Sequence, residues 1–427
     1  MSIFNTIWHY WRTKQLQFSS REALEQYQIK KLDDFKQYIV KHSPYFRQFQ
    51  HLPISQWPIM NKASMMDHFD QMNTKGLCKK TLLACAQKSE RSRDFSPKVG
   101  QYSVGLSSGT SGQRGLFVVS PKEQHIWAGG VLAKMLPQGL FAGERVALFL
   151  RADNNLYHSV NNRWLSLSFF DLLANFSDQL SQLETYQPTI IVAPAQVLRA
   201  LALAKLHGEL RIKPKKVISA AETMEAHDKA LLQRVFSEVS EVYQATEGFI
   251  AATCTHGTLH LNEEFIHVEP QWLDKERFMP IITDFTRTTQ PIIRYRLDDV
   301  LVQKNSPCPC GSKTRAIAYI EGRHDDQLLL DTPNGQKQII IFADPCSRII
   351  ANSLPLSSDY RLVQNKQTLQ LIATCSEEWL ENCQQQLCAY FKEQGADVSS
   401  LHWVLESVLE IDQPFLQKRR RITRQSF

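Results

Sequence analysis

The chain has 427 residues, of which 43% are hydrophobic, 10% aromatic and 22% charged. These proportions are typical of a globular protein and exclude a disordered one, and the length predicts two or three domains. The formal net charge of +6 is too low for a protein dedicated to nucleic acid, and no nucleic-acid partner is expected. No apolar run is long enough for a membrane helix, and the start lacks a signal-peptide pattern. We therefore expect a cytoplasmic protein whose nine cysteines are reduced.

The opening stretch predicts a helix, because apolar residues recur there at Ile3, Phe4, Ile7, Trp8, Tyr10 and Trp11. An amphipathic helix docked on the protein body is favoured over a helix lying on a membrane surface. Apolar residues at helical spacing then predict a second helix over about residues 19–49, with a break at Ser43-Pro44.

Short apolar strands alternate with helical patterns between residues 101 and 320, for example at 146–150, 189–193 and 216–220. This alternation predicts an α/β fold with parallel sheet covered by helices. After Gly322-Arg323 the pattern changes to a hairpin with a turn at 333–335, followed by helices near 377–394. We therefore predict a large N-terminal body of layered sheets and helices over residues 1–322, and a small α+β domain over residues 323–427.

The strongest local motif is a loop rich in glycine and hydroxyl residues between two strand-like runs. Its members are Ser107, Ser108, Gly109, Thr110, Ser111, Gly112 and Gly115. Glycines let backbone N–H groups approach a phosphate closely, and small hydroxyls donate to its oxygens. The loop lacks the Gly-Lys-Ser/Thr ending of a P-loop and is no dinucleotide fingerprint, so a plain hairpin loop is the alternative.

Several motifs in chain order resemble the adenylate-forming superfamily, which includes acyl-CoA synthetases and the adenylation domains of peptide synthetases. Within it, the chain is similar to the branch that contains phenylacetate-CoA ligase and the synthetases that adenylylate coenzyme F, a deazaflavin. The resemblance covers nearly the whole chain and rests on QIKKLDDFKQYIVKHSPYFRQF, SSGTSGQRG, ISAAETM, EVYQATEG, TDFTRTTQPIIRYRLDDV, CPCG, IEGRHDD and KRRRI.

The resemblance implies an ATP site. The loop SSGTSG would close on the ATP phosphates, although Arg114 stands where the family usually has proline. In YQATEG, Tyr243 would stack near adenine, Thr246 would touch the α-phosphate and Glu247 would help to hold Mg²⁺. Such a reaction depends on neutralising charge and positioning phosphates, and Mg²⁺ prefers hard oxygen ligands.

Further nucleotide contacts are implied at four other positions. Glu222 would lie beside the adenine and acyl pocket, and Asp299 would accept both ribose hydroxyls, with Asp298 standing where the family usually has glycine. Arg323 would approach the ribose and α-phosphate, and Asp325 would be the hinge of the small domain.

The basic C-terminus also matches the family, because Lys418 to Ile422 has the spacing of its terminal motif, although Gln417 replaces the usual preceding glycine. Lys418 would be the catalytic lysine that binds the carboxylate and the phosphate. An ammonium between two anions offsets their repulsion as the carboxylate attacks phosphorus. A solvated, disordered tail is the alternative for such a charge run.

A second set of residues predicts a structural Zn²⁺ site. Cys254, His260, Cys308 and Cys310 offer three thiols and an imidazole, which suit tetrahedral zinc in a reducing compartment. His256 is the alternative histidine ligand, and unliganded thiols on a turn are the alternative to any metal. Some members of the resembling branch carry such a metal.

The sequence therefore predicts an ATP- and Mg²⁺-dependent ligase that adenylates a carboxylic acid, with an aromatic acid suggested by the branch. Transfer of the acyl group to coenzyme A or a carrier protein would follow. The alternatives are adenylyl transfer to a cofactor hydroxyl without a thioester, and a non-catalytic nucleotide-binding or zinc-stabilised interaction protein. The oligomeric state, monomer or homodimer, stays open.

Overall fold

The computed structural model describes residues 2–92, 94, 98–106, 115–136, 138–150, 165–323, 327–333, 335, 337–411, 415 and 419–425. The helices in this part of the chain are α1 Ser2–Gln15, α2 Arg21–His42, α3 Pro44–Arg47, α4 Lys62–Asp67, α5 Phe69–Met72, α6 Lys79–Ser92, α7 Pro121–Met135, α8 Phe176–Tyr186, α9 Ala195–Leu206, α10 Ala226–Val235, α11 Ala343–Ser353 and α12 Glu377–Glu393.

The strands in the same residues are β1 Lys98–Val99, β2 Tyr102–Leu106, β3 Leu116–Val119, β4 Glu144–Leu150, β5 Leu165–Asp171, β6 Ile190–Ala193, β7 Lys216–Ser219, β8 Val239–Ala245, β9 Gly248–Thr253, β10 Leu259–Leu261, β11 Ile266–Trp272, β12 Arg277–Asp284, β13 Ile292–Arg296, β14 Asp299–Gln303, β15 Ala316–Arg323, β16 Gln327–Asp331, β17 Gln338–Phe342, β18 Tyr360–Asn365, β19 Thr368–Ala373, β20 His402–Ser407 and β21 Ile422–Arg424. The mixture of helices and sheets confirms the predicted α/β class.

The chain forms two compact units. Unit 1 comprises Met1–Asp171, Ser240–Leu297 and Val302–Tyr319, and unit 2 comprises Leu172–Val239, Asp298–Leu301 and Ile320–Phe427. The boundary after residue 322 stays a prediction.

The predicted helix over about residues 19–49 is present as two helices, α2 and α3, which are divided where the sequence predicts. Helix α2 starts after Ser20, whose hydroxyl oxygen accepts a hydrogen bond from the backbone N–H of Ala23 at 3.2 Å. It ends at Ser43, because Pro44 cannot supply the N–H that would continue the helix. The predicted break at Ser43-Pro44 is confirmed.

Helix α1 packs against α7 at an unusually close approach. A Cβ atom added to Gly129 of α7 would lie 2.8 Å from the carbonyl oxygen of Thr6 and 2.7 Å from the backbone nitrogen of Tyr10. Thr6 and Tyr10 are buried, whereas Phe4, Trp8 and Trp11 are exposed. Docking on the body is therefore confirmed. No helix in the described ranges is long and apolar enough to cross a membrane.

Unit 1 also contains a run of antiparallel strand pairs. Strand β9 pairs with β8 on one side and β10 on the other, β10 pairs with β15, and β12 pairs with both β11 and β13. Strands β4 and β5 are parallel, as are β6 and β7 of unit 2. The runs 146–150, 189–193 and 216–220 thus lie on strands, and the parallel pairing is as predicted.

The C-terminal part of unit 2 has its own core. Strands β16 and β17 form the predicted antiparallel hairpin, and a second sheet has the order β20-β19-β18-β21. Helices α11 and α12 contribute buried residues such as Ile350, Leu387 and Phe391, which cluster with Leu362 and Leu371 of the sheet. This arrangement agrees with the predicted α+β character of the C-terminal residues.

Candidate functional site

The glycine-rich loop is carried by an antiparallel hairpin of unit 1. Strands β2 and β3 are paired up to Leu106 and Leu116. The loop residues Ser107, Ser108, Gly109, Thr110, Ser111, Gly112 and Arg114 lie outside the described residues, so their predicted phosphate contacts stay a prediction. Leu116 and Val118 are fully buried against Phe69, Leu82 and Ala86, which anchors the base of the hairpin in the core.

The motif YQATEG forms a tight turn between two paired strands. Tyr243 lies on β8, opposite Ala251 of β9. Thr246 and Glu247 occupy the turn itself, because Ala245 pairs directly with Gly248. Two polar side chains are thereby presented together where the backbone reverses. Glu247 consequently stands on a hairpin turn.

A buried arginine joins this turn to the loop-bearing hairpin. Arg287 is 9% exposed, and its guanidinium donates to the carbonyl oxygen of Thr246 at 3.3 Å and to that of Val118 at 3.4 Å. The Nε–H of Arg287 has no hydrogen-bond partner among the described residues. A buried cation with a spare donor is suited to meet an anion.

Glu123 fixes the segment on which Arg287 lies. This buried carboxylate accepts hydrogen bonds from the backbone N–H groups of Thr288 and Thr289, both at 2.6 Å. Its other oxygen accepts from the N–H of Ser120 at 2.6 Å and from the Ser120 hydroxyl at 2.9 Å, which caps α7. One side chain therefore orders both the start of α7 and the residues after Arg287.

Gln290 ties the same segment to β3. Its side-chain amide donates to the carbonyl oxygen of Leu116 at 3.0 Å and accepts from the N–H of Val118 at 2.8 Å. The Gln290 amide thus makes the hydrogen bonds to β3 that a neighbouring strand would otherwise make. Arg287 and Gln290 therefore both contact β3, the strand that leads out of the glycine-rich loop, and Glu123 orders the residues between them.

Asp284 is a fully buried carboxyl group at the end of β12. Burial raises its pKa from 3.8 to about 6, opposed by hydrogen bonds from Thr286 and by the charge of Arg287. The backbone N–H and the hydroxyl of Thr286 donate to it at 2.8 and 2.6 Å. A proton can therefore reside here near neutral pH.

These residues surround a cavity of about 240 Å³ within unit 1. Its walls are mostly apolar and aromatic, from Phe117, Ile126, Trp127, Phe249 and Phe265. Polar side chains also line the cavity, namely those of Glu123, Gln124, Gln244, Thr246, Asp284, Thr286 and Arg287. An apolar cavity with a few placed polar groups is the usual form of a small-molecule site.

A smaller recess of about 10 Å³ lies beside Glu247. Lys62, Gly115, Thr246, Glu247 and Arg287 are among its lining residues. It adjoins the end of the glycine-rich loop at Gly115 and has room for one water-sized group. The recess thus combines a carboxylate and two basic side chains at the place where the resemblance implies phosphate and Mg²⁺.

The other predicted nucleotide residues belong to unit 2. Glu222 is half-buried, accepts from the side-chain amide of Gln196 at 2.9 Å, and follows Ala221, whose φ of 69° lies in the left-handed region. Burial raises the pKa of Glu222. Asp299 is half-buried at the start of β14, beside the exposed Asp298. Their roles stay predictions.

Three other predicted residues lie partly or wholly outside the described part of the chain. Arg323 ends β15, and only its backbone is described. Asp325 and Lys418 lie outside the described residues, so the hinge and the catalytic lysine stay predictions.

The four predicted zinc ligands come together in unit 1. One donor atom from each of Cys254, His260, Cys308 and Cys310 lies within 4.8 Å of the others. The Sγ atoms of Cys254 and Cys308 are 3.6 Å apart, and Cys310 Sγ is 3.4 Å from Nε2 of His260. Tetrahedral zinc with its usual Zn–S and Zn–N distances separates its ligands by about 3.5–3.8 Å. The donor set therefore fits this metal, and His256, the alternative ligand, is exposed and outside the group.

Two glycine turns present the cysteines. The N–H of Gly257 donates to the carbonyl of Cys254, and that of Gly311 donates to the carbonyl of Cys308. Both glycines have φ near +73°, which other residues adopt only with strain. His260 Nδ1 faces the carbonyl oxygen of Thr314 at 3.2 Å, which leaves Nε2 for a metal.

The two thiols of the CPCG motif differ in acidity. Burial opposes ionisation of Cys308, but hydrogen bonds with Thr258 and with the backbone of Cys310 lower its pKa to about 5. Burial and the neighbouring Cys308 raise the pKa of Cys310 to about 11. Thiolates are the form that binds metal.

Comparison with known proteins identifies the fold. No protein-family model matches the chain, and no curated protein does. Among solved structures, 2-hydroxyisobutyryl-CoA ligase in complex with 2-HIB-AMP superimposes with a TM-score of 0.70 at 16% identity, over 96% of this chain and 91% of that one. Anthranilate CoA ligase AuaEII in complex with anthranoyl-AMP superimposes with a TM-score of 0.52 at 14% identity, over 74% of this chain and 66% of that one. For the amide bond synthetase McbA from Marinactinospora thermotolerans the TM-score is 0.53 at 11% identity, over 75% of this chain and 67% of that one.

The chain therefore has the fold of the adenylate-forming ligases, as its motifs predict. At these identities the likeness concerns the fold. Placement in the phenylacetate-CoA ligase branch stays a prediction.

Glu123, Trp127, Asp284 and Arg287 are among the cavity residues that sequence reasoning missed. Two signals were available. Glu123 follows Ser120 by three residues at the start of a helix, which is the pattern of a capping box. Asp284 and Arg287 lie in TDFTRTTQ, where polar residues interrupt two apolar runs.

We predict that zinc binds at the Cys254 cluster. Cys308→Ser should reduce the zinc content from about one equivalent to near zero and lower the temperature of unfolding, because a structural zinc site contributes to folding directly. Mass spectrometry of the metal and thermal unfolding measure this. Cys78→Ser, at an exposed cysteine, is the matched control. Equal metal content in wild type and Cys308→Ser would contradict the prediction.

We also predict a pH dependence from Asp284. Because its folded pKa is raised to about 6, the unfolded state releases the proton first, and stability is lost as pH rises from about 4 through 6. The Asp284→Asn variant has no such proton and should not show this loss. The unfolding free energy of the variant minus that of the wild type should therefore be higher at pH 7 than at pH 4, by up to about 3 kcal/mol. Urea unfolding at several pH values measures the difference. Asp33→Asn, at an exposed position, should show no such trend, and a constant difference for Asp284→Asn would refute the assignment.

Proposed function

We propose that the chain activates a carboxylic acid with ATP. A carboxylate oxygen attacks the α-phosphorus, the bond to pyrophosphate breaks, and acyl-AMP forms. A thiol sulfur then attacks the acyl carbon, and AMP leaves as a thioester forms. The observation that carries the proposal is the apolar cavity of unit 1, whose polar lining is built from the YQATEG turn and Arg287, in a chain with the fold of these ligases.

Charge at the polar lining suits this reaction. Arg287 is buried and retains an N–H without a partner in the described residues. Beside it stand the hydroxyl of Thr246 and the carboxylate of Glu247. Adenylation brings a carboxylate and a polyphosphate together, so fixed cations lower the barrier by neutralising their repulsion. Mg²⁺ would be held by oxygen ligands that include Glu247, and would supply further positive charge when bound.

The cavity supports a compact aromatic acid as the substrate. A cavity of about 150 Å³ lined by apolar side chains accommodates benzene, and this one is about 240 Å³. That volume suits one ring with a carboxyl group and a small substituent. Four of its lining residues are aromatic: Phe117, Trp127, Phe249 and Phe265. Offset and edge-to-face contacts with such walls favour a flat ring.

Trp127 gives the cavity a directional contact. It lines the cavity, and its buried indole N–H has no hydrogen-bond partner among the residues the structure describes. A buried donor without a partner is unfavourable until a ligand supplies an acceptor. We therefore propose that the acid carries a hydrogen-bond acceptor on its ring.

The proposed zinc has a structural part in this function. Its ligands lie at the end of β9, on β10 and before β15, and β9 also carries cavity residues such as Phe249. Zinc would supply no reacting group in this proposal. It would hold the strand that follows the YQATEG turn.

ATP–pyrophosphate exchange with Mg²⁺ over a panel of aryl and fatty acids tests the function. We expect exchange with single-ring aryl acids, reduced at least about 100-fold in Lys418→Ala and in Glu247→Ala, because each removes a group that stabilises charge in the transition state. Lys392→Ala and Glu276→Ala, at exposed positions, are matched controls.

Two outcomes would contradict the proposal. ATP binding without exchange for any acid would refute carboxylate activation and favour adenylyl transfer to a hydroxyl or a non-catalytic role. Strong exchange only with long-chain acids would refute the aromatic substrate. Transfer to a thiol is tested separately, with coenzyme A and a carrier protein as acceptors.

A further prediction concerns Trp127. Wild type should prefer a methoxy-substituted benzoate over the methyl-substituted analogue of similar size by about three- to tenfold in kcat/KM, at one ring position, since one hydrogen bond contributes about 0.5–1.5 kcal/mol. Trp127→Phe keeps an aromatic ring but loses the donor, so the preference should disappear. Phe249→Leu is the control that alters the cavity wall and keeps the donor. An equal preference in wild type and Trp127→Phe would disprove the contact.

A further inference from the structure

A buried ionic cluster in unit 2 is centred on Arg421. This side chain is 1% exposed, and its guanidinium donates to Asp228 at 2.8 and 2.9 Å, to Glu225 at 2.9 Å and to Asp359 at 3.0 Å. The Cζ atom of the guanidinium also lies over the ring of Tyr360, 4.9 Å from the ring centre. The contacts to Asp228 form a two-bond fork that lysine cannot reproduce.

Two more arginines complete the cluster. Arg199 donates to Asp228 at 3.3 Å and to the carbonyl oxygens of Leu356 and Ser358 at 2.8 and 2.6 Å. Arg419 lies 3.5 Å from Asp359. Three guanidinium groups thus face three carboxylates, and the charges balance. Burial opposes ionisation of Asp228, but the charges of Arg421 and Arg199 hold its pKa well below the usual range.

The cluster joins parts of the chain that are far apart in sequence. Arg421 precedes β21, and its carbonyl oxygen accepts from the N–H of Leu362 on β18 at 2.7 Å. Arg199 and Asp228 lie on α9 and α10. A buried ion cluster is weak as a source of stability compared with apolar packing, but it fixes one arrangement, because any other leaves charges buried without partners.

Residues beside the cluster attach the terminal motif to Glu222. The N–H of Arg419 donates to the Glu222 carboxylate at 3.4 Å. The side-chain amide of Gln196 donates both to that carboxylate and to the carbonyl oxygen of Phe415, each at 2.9 Å. Phe415 and Arg419 are the described residues on either side of Lys418, so both flanks of the predicted catalytic lysine are held by one pair of side chains.

We propose that Arg421 is a positioning residue for adenylation: through Asp228, Glu225 and Asp359 it holds the terminal segment on α9 and α10, and with it the described residues that flank Lys418, Phe415 and Arg419. This role rests on the proposed function, because adenylation is the reaction that Lys418 would serve. In the second half-reaction a thiol attacks the acyl carbon and no carboxylate approaches a phosphate, so the role proposed for Lys418 is confined to adenylation. Loss of the cluster should therefore separate the two half-reactions.

The test uses Asp228→Asn and Arg421→Lys in the full chain. Asp228→Asn keeps the shape but unbalances the charge, whereas Arg421→Lys keeps the charge but loses the fork. The matched control is Glu269→Gln, which removes the charge from a partly buried partner of Arg294 in unit 1. We expect ATP–pyrophosphate exchange to fall about tenfold or more in both cluster variants. Release of AMP from supplied acyl-adenylate by coenzyme A should stay close to wild type.

Hydrogen exchange measures the tether independently of activity. The amides of Leu362 and Arg419 should exchange about tenfold or more faster in the cluster variants than in wild type and in Glu269→Gln. Unchanged protection would overturn the proposal. Faster amide exchange with equal loss of both half-reactions would overturn the positioning role and leave a structural one. If wild type shows no pyrophosphate exchange, the proposed function fails, and the amide protection still decides whether Arg421 holds the segment.

Discussion

The cavity of unit 1 depends on a buried positive charge held away from any ion-pair partner in the described chain. Arg287 is fixed by two backbone carbonyls, from Thr246 and Val118, and not by a carboxylate at salt-bridge distance. A guanidinium neutralised by a tight ion pair would have little attraction left for a ligand. One held by carbonyl dipoles keeps more of its attraction for an anionic ligand. The neighbouring Asp284, whose pKa is raised by burial, retains a proton more readily than an ordinary aspartate and offsets that charge less.

Much of the fold could be predicted from the sequence. Helix α2 and its break at Ser43-Pro44 follow from apolar spacing and proline chemistry, and the strands at 146–150, 189–193 and 216–220 follow from short apolar runs. These features are local, because a few consecutive residues determine each of them. The grouping of Cys254, His260, Cys308 and Cys310 could also be predicted, because cysteine and histidine are rare enough that their spacing carries information.

The rest of the site could not be predicted in this way. Glu123 and Arg287 are separated by 164 positions in the sequence, and only tertiary structure brings their segments together around the cavity. A buried arginine or glutamate cannot be distinguished from a solvated one by residue type, because both are usually exposed. The same holds for Arg421, which stands in a basic run that suggests a solvated tail but is 1% exposed. Its burial becomes intelligible only with Asp228 and Glu225 in place.

Two faces of helix α7 meet other parts of the structure. One face lines the cavity through Ile126 and Trp127, and the other accepts α1 at Gly129, where no side chain would fit. Helix α1 therefore lies directly behind one wall of the cavity. Removal of α1 would uncover the face of α7 at Gly129, behind the residues that line the cavity. A truncated form that lacks this helix should therefore be compared with the full chain for ligand binding before it is used in its place.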